Sequence, residues 1–419
     1  MKQILILILM QSLLIFPLFT YGALITNMND PECEIDKNKI IINPFKIEEI
    51  TENKKYVSDE INRDNSDVFI NGTEELRNYS AIGEGSVSNP FIIENLILET
   101  SKENGLVINN TDDYLIIRNL EINGKNAMSK LALAFFNVSN VEISNLKIDK
   151  CQYGVMIYKG NNNKIIDSSF QDTINGSIIL SNSKGNQISN NLIKITNEMN
   201  IKRYDDTLNL ENITIYSSII MENSEDTILQ ENILDLGKIE AIIGILMHHC
   251  SNNSFLNNEI TNCAITFALS ESEENIIKNN RFEDNYFGFL ISSSRENVFT
   301  LNLFDIETIG IIQDSDSNLF YYNGFVSYKY DLLSMLSNSK NIWHNGTHGN
   351  YWQNYNGKDS DNDGIGDTRY EVESGAFDNF PLMKNPIKSD SNSMVTFNTI
   401  FLIVTIFFIA SISKIRKKY

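Results

Sequence analysis

The sequence predicts an all-β protein, a right-handed parallel β-helix of about ten coils, and three observations lead to this fold class. Between positions 275 and 325 an Asn recurs every 21 or 22 residues, followed by an apolar residue at +2, a second Asn at +5 and an apolar residue at +7. The apolar segments are short and rich in Ile and Phe, which favours strands. Asn, Asp, Ser and Gly separate them, as is typical of turns. Three short strands and three turns fill one coil of about 22 residues.

Other repeat architectures fit this pattern less well. Leucine-rich repeats have a similar length, but they need regularly spaced leucines, and Leu does not dominate here. Helical repeats need longer periods and an apolar stripe with a period of 3.6 residues.

The repeat predicts two interior columns of apolar side chains. The +2 column contains Ile117, Ile143, Ile165, Ile188, Leu229, Phe255, Ile277, Phe299 and Phe320. The +7 column contains Ile122, Ile148, Phe170, Ile193, Leu234, Ile260, Phe282, Phe304 and Phe325. Equivalent positions on stacked coils lie about 4.8 Å apart. The Asn residues at +5 are therefore expected to bond from coil to coil as a ladder.

Two coils are interrupted by insertions. A short one surrounds Gly124 to Lys130, and a longer one runs from about Thr196 to Ser217. Insertions in a solenoid leave as loops on one face, which is often the binding face. The longer insertion carries Arg203 and Tyr204, which we predict as glycan-contacting residues.

The two ends of the chain predict a membrane topology. Residues 1–22 have a basic start, an apolar run and a terminal Gly, as a signal peptide does. Residues 394–413 are almost wholly apolar and at about 1.5 Å per residue just span a bilayer core. Residues 414–419 are basic, which places this tail in the cytoplasm and the body outside the cell. The expected location is the cell membrane, with a single span.

The remaining regions follow from this topology. Residues 23–80 are an irregular N-terminal region and cap with a helical piece at Ile47–Ile61, residues 81–344 are the β-helix repeats, and residues 345–388 are a closing segment. The formal charge is −20 and the pI near 4.7, which excludes nucleic acid as a partner because phosphate binding needs a basic surface. Eight Asn-X-Ser/Thr sites weakly support an external location.

Two segments resemble a known family. The stretch Gly83 to Leu98 reads GEGSVSNPFIIENLIL, and the closing segment contains NGTHGNYWQNY and DSDNDGIGD. Both resemble right-handed β-helix proteins of the NosD type, also called CASH (carbohydrate-binding and sugar-hydrolase) domains, from archaeal or bacterial cell surfaces. The resemblance covers roughly residues 69–386 and implies a pectate-lyase-like fold. It implies function only broadly, since the family includes glycan binders, polysaccharide-cleaving enzymes, surface-layer components and a copper-site maturation factor.

The closing segment contains a candidate calcium loop. Asp359, Asp361 and Asp363 alternate before Gly364, and Asp367 follows, so that hard oxygen ligands fold to one side of a sharp turn. Tyr370 stands where an EF-hand has its bidentate Glu, so a full EF-hand loop is absent. The other interpretation is a plain Asp/Gly turn. Calcium is the only cofactor predicted, apart from copper at a much weaker site.

That weaker site is the segment Met247-His248-His249-Cys250. Side chains alternate along a strand, so His248 and Cys250 are expected to face one way, and Met247 and His249 the other. Imidazole and thiolate are copper ligands. Two ligands on one face make a weak copper site, however.

Candidate catalytic residues are hard to find, and catalytic positions stay unassigned. Asp112-Asp113 and Asp205-Asp206 are adjacent pairs whose side chains would point to opposite faces of a strand, so solvated turns are the preferred interpretation. The sequence favours a non-catalytic cell-surface protein that binds a glycan or has a structural role in the envelope. A polysaccharide lyase or glycoside hydrolase is the first alternative, and a copper-binding accessory protein the second. For glycan binding the closing segment offers Tyr351, Trp352 and Tyr355. Tyr351 and Trp352, with Phe380 and Leu382, are also expected to cover the open end of the core.

The four cysteines are too few for a disulfide-rich scaffold. Cys151 and Cys263 lie several coils apart and cannot pair, whereas a pair drawn from Cys33, Cys250 and Cys263 stays open. Buried, apolar thiols are the preferred interpretation.

Overall fold

The computed structural model describes residues 68–80, 82–99, 104–124, 131–173, 175–196, 216–329, 333–334, 340–373 and 375–387. They belong to one compact unit of the chain. The predicted signal peptide, the Ile47–Ile61 piece, the loop with Arg203 and Tyr204, the membrane helix and the basic tail lie outside them. In the part that is described, no helix is long and apolar enough to cross a membrane.

The described elements are one α-helix and 28 β-strands. The first half of the chain contains β1 (Val68–Asn71), α1 (Gly72–Ser80), β2 (Phe91–Glu99), β3 (Asn104–Thr111), β4 (Leu115–Asn123), β5 (Leu131–Val138), β6 (Val141–Ser144), β7 (Lys147–Asp149), β8 (Tyr153–Tyr158), β9 (Lys164–Ile166), β10 (Ser169–Gln171), β11 (Gly176–Ser181), β12 (Gln187–Ser189) and β13 (Leu192–Lys194). The second half contains β14 (Tyr216–Glu222), β15 (Ile228–Gln230), β16 (Ile233–His248), β17 (Ser254–Leu256), β18 (Glu259–Ser270), β19 (Ile276–Lys278), β20 (Arg281–Ser292), β21 (Val298–Thr300), β22 (Leu303–Gln313), β23 (Leu319–Tyr321), β24 (Gly324–Val326), β25 (Leu333–Ser334), β26 (Tyr351–Trp352), β27 (Tyr370–Glu373) and β28 (Ala376–Asp378).

The strands form the predicted parallel β-helix with three sheets along its length. The first sheet stacks β1, β3, β5, β8, β11, β14, the later parts of β16, β18, β20 and β22, and then β25. The second sheet runs from the start of β2 through β4, β6, β9, β12, β15, β17, β19 and β21 to β23. The third sheet continues from the ends of β2 and β4 through β7, β10, β13, the first parts of β16, β18, β20 and β22, and β24 to β26. The number of coils, about ten, is confirmed.

Both interior columns are confirmed. Ile277 pairs in register with Phe299, which pairs with Phe320, and all three are buried. The rings of Phe299 and Phe320 stack with their centroids 4.6 Å apart, and those of Phe304 and Phe325 with centroids 5.0 Å apart. Because each coil repeats the apolar side chain of its neighbour, the core continues along the axis without a break.

The Asn ladder at +5 is confirmed and is buried. Asn258, Asn280 and Asn302 repeat the same contacts: each carboxamide oxygen accepts the backbone N–H and the side-chain N–H of the Asn one coil earlier. Each side-chain amide also donates to a backbone carbonyl of the preceding coil, as Asn302 does to Ile277 at 2.7 Å. The turn is thereby satisfied without water, as buried backbone groups require.

The corner between the first and second sheets is a stack of left-handed residues. In the six coils from β11 to β22 one residue per coil occupies it, with φ between 46° and 51°: Asn182, Asn223, His249, Glu271, Ser293 and Asp314. Asn, Asp and His adopt this conformation more readily than most residues, whereas Glu and Ser must be held in it by their surroundings. Backbone bonds between coils do so, for example from the N–H of Glu271 to the carbonyl of Ser292. This corner fixes the direction in which its side chains leave the coil.

Both ends of the helix are covered. At the N-terminal end, α1 follows β1 directly and buries Leu76 in the core, within the region predicted as a cap. At the C-terminal end, the indole of Trp352 stacks on Phe325 with centroids 4.5 Å apart. The buried carboxylate of Asp378 accepts from the indole N–H of Trp352 at 2.8 Å and the backbone N–H of Asn350 at 2.7 Å. These contacts cover strand edges that would otherwise be open.

The cysteines are buried thiols, as preferred from the sequence. The side chains of Cys151, Cys250 and Cys263 are only 1–2% exposed. Cys33 lies outside the described residues, so any pairing of Cys33 stays a prediction.

Candidate functional site

The acidic loop brings three of its four predicted ligands together. Carboxylate oxygens of Asp359, Asp361 and Asp363 lie within 4.8 Å of one another. Asp359 accepts backbone N–H groups of Asp363 and Gly364 at 3.2 and 3.0 Å, which curls the chain around the cluster. Asp367 turns away to accept the backbone N–H and the hydroxyl of Ser360. Asp367 thus braces the loop in this structure rather than joining the cluster.

The spacing of the cluster fits a calcium ion. Ligand oxygens lie about 2.3–2.6 Å from Ca²⁺, so two oxygens on the same ion are at most about 5 Å apart. The three carboxylates meet this limit. Gly364 has φ of 90°, which supplies the sharp turn that such a loop needs.

The closing-segment aromatics are less open than predicted. Trp352 is 1% exposed and packs between Phe325 and Tyr370, so its ring belongs to the core and is not available to stack on a sugar. Tyr355 is half-buried, and its hydroxyl donates to the carbonyl of Thr368 at 2.6 Å. Tyr351 is also half-buried. Aromatic type alone does not distinguish a ring that fills the end of the core from one that faces water.

An aromatic patch lies beside this segment, and sequence analysis missed it. It comprises the half-buried residues Tyr321, Tyr322, His344, His348 and Phe380. The rings of Tyr322 and His348 stack with centroids 4.9 Å apart, and those of His344 and Phe380 meet edge to face at 5.0 Å. The available signal was the outward +3 position of successive coils, where Tyr321 is followed by His344.

The predicted pairing of His248 with Cys250 is wrong in its geometry. Cys250 points into the core, where its thiol donates to the carbonyl of His248 at 3.3 Å. His248 is instead beside His249, with ring centroids 4.0 Å apart. Alternation fails because His249 occupies the left-handed corner, so the strand has ended and the chain turns. The ligand atoms of His248, His249 and Glu271 of the next coil lie within 4.8 Å of one another.

The charges around this corner differ from those of free side chains. Burial, and then the neighbouring His249, lower the pKa of His248 to about 4, so its imidazole is neutral at pH 7. Burial raises the pKa of the Glu222 carboxyl on the preceding coil, while a hydrogen bond from the Ser181 hydroxyl and, less strongly, His249 oppose that shift. Burial also raises the pKa of the Cys250 thiol to about 12, which removes it as a thiolate ligand at neutral pH.

The two adjacent Asp pairs are assigned no catalytic role. Asp113 accepts a hydrogen bond from the Thr111 hydroxyl at 2.6 Å and belongs to a turn, as expected. Asp205-Asp206 lies outside the described residues.

Comparison with protein families gives two matches. Residues 80–232 match the family described as right handed beta helix region. Residues 194–357 match the family described as periplasmic copper-binding protein (NosD). No curated protein sequence matches the chain.

Several solved structures are similar at low sequence identity. PfbA, a surface adhesin of Streptococcus pneumoniae, is 14% identical, with 63% of this chain and 77% of that one covered and a TM-score of 0.44. The periplasmic alginate epimerase AlgG is 15% identical, with 65% and 73% covered and a TM-score of 0.41. A mannuronan C-5 epimerase module from Azotobacter vinelandii is 9% identical, with 65% and 97% covered and a TM-score of 0.41.

Proposed function

Since the chain is a right-handed β-helix protein of the NosD-like type, we propose that it is a non-catalytic, membrane-anchored protein of the cell surface that binds a glycan. The observation that carries this proposal is the aromatic patch of Tyr321, Tyr322, His344, His348 and Phe380. The predicted signal peptide and C-terminal span supply the location.

The patch suits a sugar ring for physical reasons. A pyranose presents a flat C–H face that packs on an aromatic ring, and hydroxyl groups at its edge that need hydrogen-bond partners. The patch provides both, because the exposed side chains of Asn345 and Asn379 lie at its border. Asn345 holds the loop by accepting the backbone N–H groups of Thr347 and His348 at 3.0 and 2.9 Å. A rigid platform loses little conformational entropy when a ligand binds.

The chain's charge narrows the ligand class. A formal charge of −20 repels polyanions, so an uncharged polysaccharide is the expected ligand rather than an alginate-like or sulfated one.

Calcium completes the proposal as a structural ion. Bound by Asp359, Asp361 and Asp363, it would stiffen the closing segment that supports the patch. An ion that binds only the folded state stabilises it by RT ln(1 + [Ca²⁺]/Kd), or about 2.7 kcal/mol at 100 times Kd. Both tryptophans, Trp343 and Trp352, are buried at this end, so their fluorescence reports its melting. The melting temperature is measured in calcium and in chelator, for the wild type and for the Asp361→Ala, Asp363→Ala variant. If the wild type, like the variant, melts at the same temperature in both solutions, the loop is a plain turn.

Glycan binding is tested with the full chain in mild detergent against an array of uncharged polysaccharides, followed by calorimetry on the best ligand. The variant is Tyr321→Ala, Tyr322→Asn, because Asn tolerates the φ of 58° at position 322. We expect its affinity to fall at least tenfold. Tyr114→Ala is the control, since Tyr114 is an exposed tyrosine on β4's coil near the other end. Equal losses in both, or binding of none of the polysaccharides, would count against the proposal.

The location is tested separately. Protease added to intact cells should remove the body of the protein and leave only the short basic tail protected. A body that survives digestion until the membrane is permeabilised would place it on the other side.

A further inference from the structure

We propose that His248, His249 and Glu271 form a binding site for a divalent transition-metal ion at the corner between the first and second sheets. The site lies apart from the acidic loop and the aromatic patch in sequence, and it does not depend on glycan binding. The matched family is described as copper-binding, but the ligands are identified by their geometry in this chain.

The distances suit a small ion. The Nε2 atom of His249 and the Oε2 atom of Glu271 are 3.4 Å apart. Two ligands at about 2.0–2.1 Å from one ion in tetrahedral arrangement are separated by about 3.3–3.4 Å. The ligand atom of His248 lies within 4.8 Å of both. His248 is therefore the third ligand of the proposed site, and its ligand atom would have to move closer to the other two when an ion binds.

The backbone holds these residues in place before any ion binds. His249 and Glu271 occupy the same corner position on successive coils, with φ of 51° and 49°. The N–H of His249 donates to the Ser270 carbonyl at 3.1 Å, and the N–H of Glu271 donates to the Ser292 carbonyl at 3.0 Å. His248 is the last residue of β16 and pairs in register with Ser270. Ligands carried by a rigid scaffold are already organised for binding.

The donor set selects the class of ion. Two imidazole nitrogens and one carboxylate oxygen suit Zn²⁺ and Cu²⁺, whereas Ca²⁺ and Mg²⁺ prefer oxygen ligands throughout. The sulfur ligands that favour Cu⁺ are turned inward, because Met247 and Cys250 are 0% and 1% exposed. Among divalent ions such a set binds Cu²⁺ more tightly than Zn²⁺.

The test is titration of the full chain with Cu²⁺, and separately with Zn²⁺, in detergent containing millimolar Ca²⁺ to occupy the acidic loop. The protein carries no histidine tag. We expect one Cu²⁺ per chain with nitrogen hyperfine structure from two imidazoles in its electron paramagnetic resonance spectrum. His249→Asn, which the neighbouring coils' Asn182 and Asn223 show to be compatible with this corner, should remove one nitrogen and weaken binding at least tenfold. Glu271→Gln should weaken it similarly with both nitrogens kept.

The chain supplies its own control. It has four histidines, and the other two, His344 and His348, lie in the aromatic patch. His344→Gln, His348→Gln should leave the Cu²⁺ affinity and spectrum unchanged. Melting of each variant in chelator shows that the fold is intact. Cu²⁺ binding that is unaltered in His249→Asn and Glu271→Gln, or lost in the His344→Gln, His348→Gln protein, would overturn the assignment.

Discussion

Replacing Asn302 by Ala removes one rung of the buried ladder. The side chain of Asn302 is 0% exposed and makes four hydrogen bonds. Its oxygen accepts the backbone and side-chain N–H groups of Asn280 at 3.0 and 2.9 Å, and its amide donates to Ile277 and Asn323 at 2.7 and 3.0 Å. A typical buried hydrogen bond contributes about 1 kcal/mol net, and a buried N–H group left without a partner costs about 1–3 kcal/mol. The variant should lose about 3–5 kcal/mol of its free energy of unfolding.

Asn302→Ser distinguishes the contribution of the acceptor oxygen at position 302 from that of the amide donor. Ser168 occupies the equivalent place at the head of the same ladder, where its hydroxyl oxygen accepts the N–H of Leu146 at 3.1 Å. A serine at position 302 would keep a partner for the N–H of Asn280 but lose both amide donors. The expected loss is about half that of Asn302→Ala.

The measurement is urea unfolding of the full chain followed by far-ultraviolet circular dichroism. Lys278→Ala is the control, because Lys278 is an exposed side chain on the same run of coils, and surface changes usually stay within about 0.5 kcal/mol. If Asn302→Ala unfolded within that range of the wild type, the ladder would contribute far less than its buried bonds indicate, and the reasoning would be refuted.

Two further outcomes are expected from the core. Phe299→Ala should lower the free energy of unfolding by about 3–5 kcal/mol, because it leaves a cavity beneath Phe320. Phe299→Leu should lower it by less than half as much, and equal losses in urea unfolding would contradict the stacking of these side chains in one column. Burial raises the pKa of Cys250 and Cys263 to about 12, so in a Cys33→Ser variant these thiols should resist a thiol reagent at pH 8 until urea is added. Because those folded-state pKa values exceed the unfolded ones, stability is expected to fall as pH rises above about 9, and rapid labelling of the native protein would contradict this burial.

The repeating part of the fold was predictable because the chain repeats the requirement of each coil. An apolar side chain at +2 or +7 has to lie above its equivalent, so Ile277, Phe299 and Phe320 could be placed in one column from their spacing alone. The same holds for the Asn at +5, whose only partners in a dry turn are backbone groups and the next Asn.

The non-repeating parts of the fold were harder to predict, because the sequence contains no second copy with which they can be compared. Helix α1 was not foreseen, although its first turn has two acidic residues, Glu74 and Glu75, and the N–H of Asn71 donates to the Glu75 carboxylate. The long strands β16, β18, β20 and β22 join pieces that the pattern separates. In β16, β18 and β20 the pieces meet at a corner with left-handed residues, Lys238, Asn262 and Asp284. Trp352 was predicted both to cover the open end of the core and to contact a glycan, and its burial fits only the first role, because residue type alone does not tell the two apart.

The proximity of His249 and Glu271 could have been predicted from the spacing of the repeats. Counted back four places from the first residue of each repeat, which is Asn in every case but Thr227, positions 249 and 271 fall in one column with 182, 223, 293 and 314. Alternation along a strand separates His248 from His249, but it applies only within a strand, and this column is the corner where the strand ends. Candidate ligands in such a fold are therefore pairs about 22 residues apart, such as His249 and Glu271, before they are neighbours in sequence.

Such pairs can carry function at small cost to the fold. The rigid spacing comes from the buried columns and ladders, whereas the corner side chains stand outside them. An exposed ion pair such as Arg295 with Glu273, at 2.6 Å on the outer surface, contributes about 1 kcal/mol or less to stability. The His249–Glu271 pair at 3.4 Å should contribute no more. Substituting it should therefore leave the β-helix folded, so that a loss of metal binding in His249→Asn or Glu271→Gln reports on the ligands themselves and not on the scaffold.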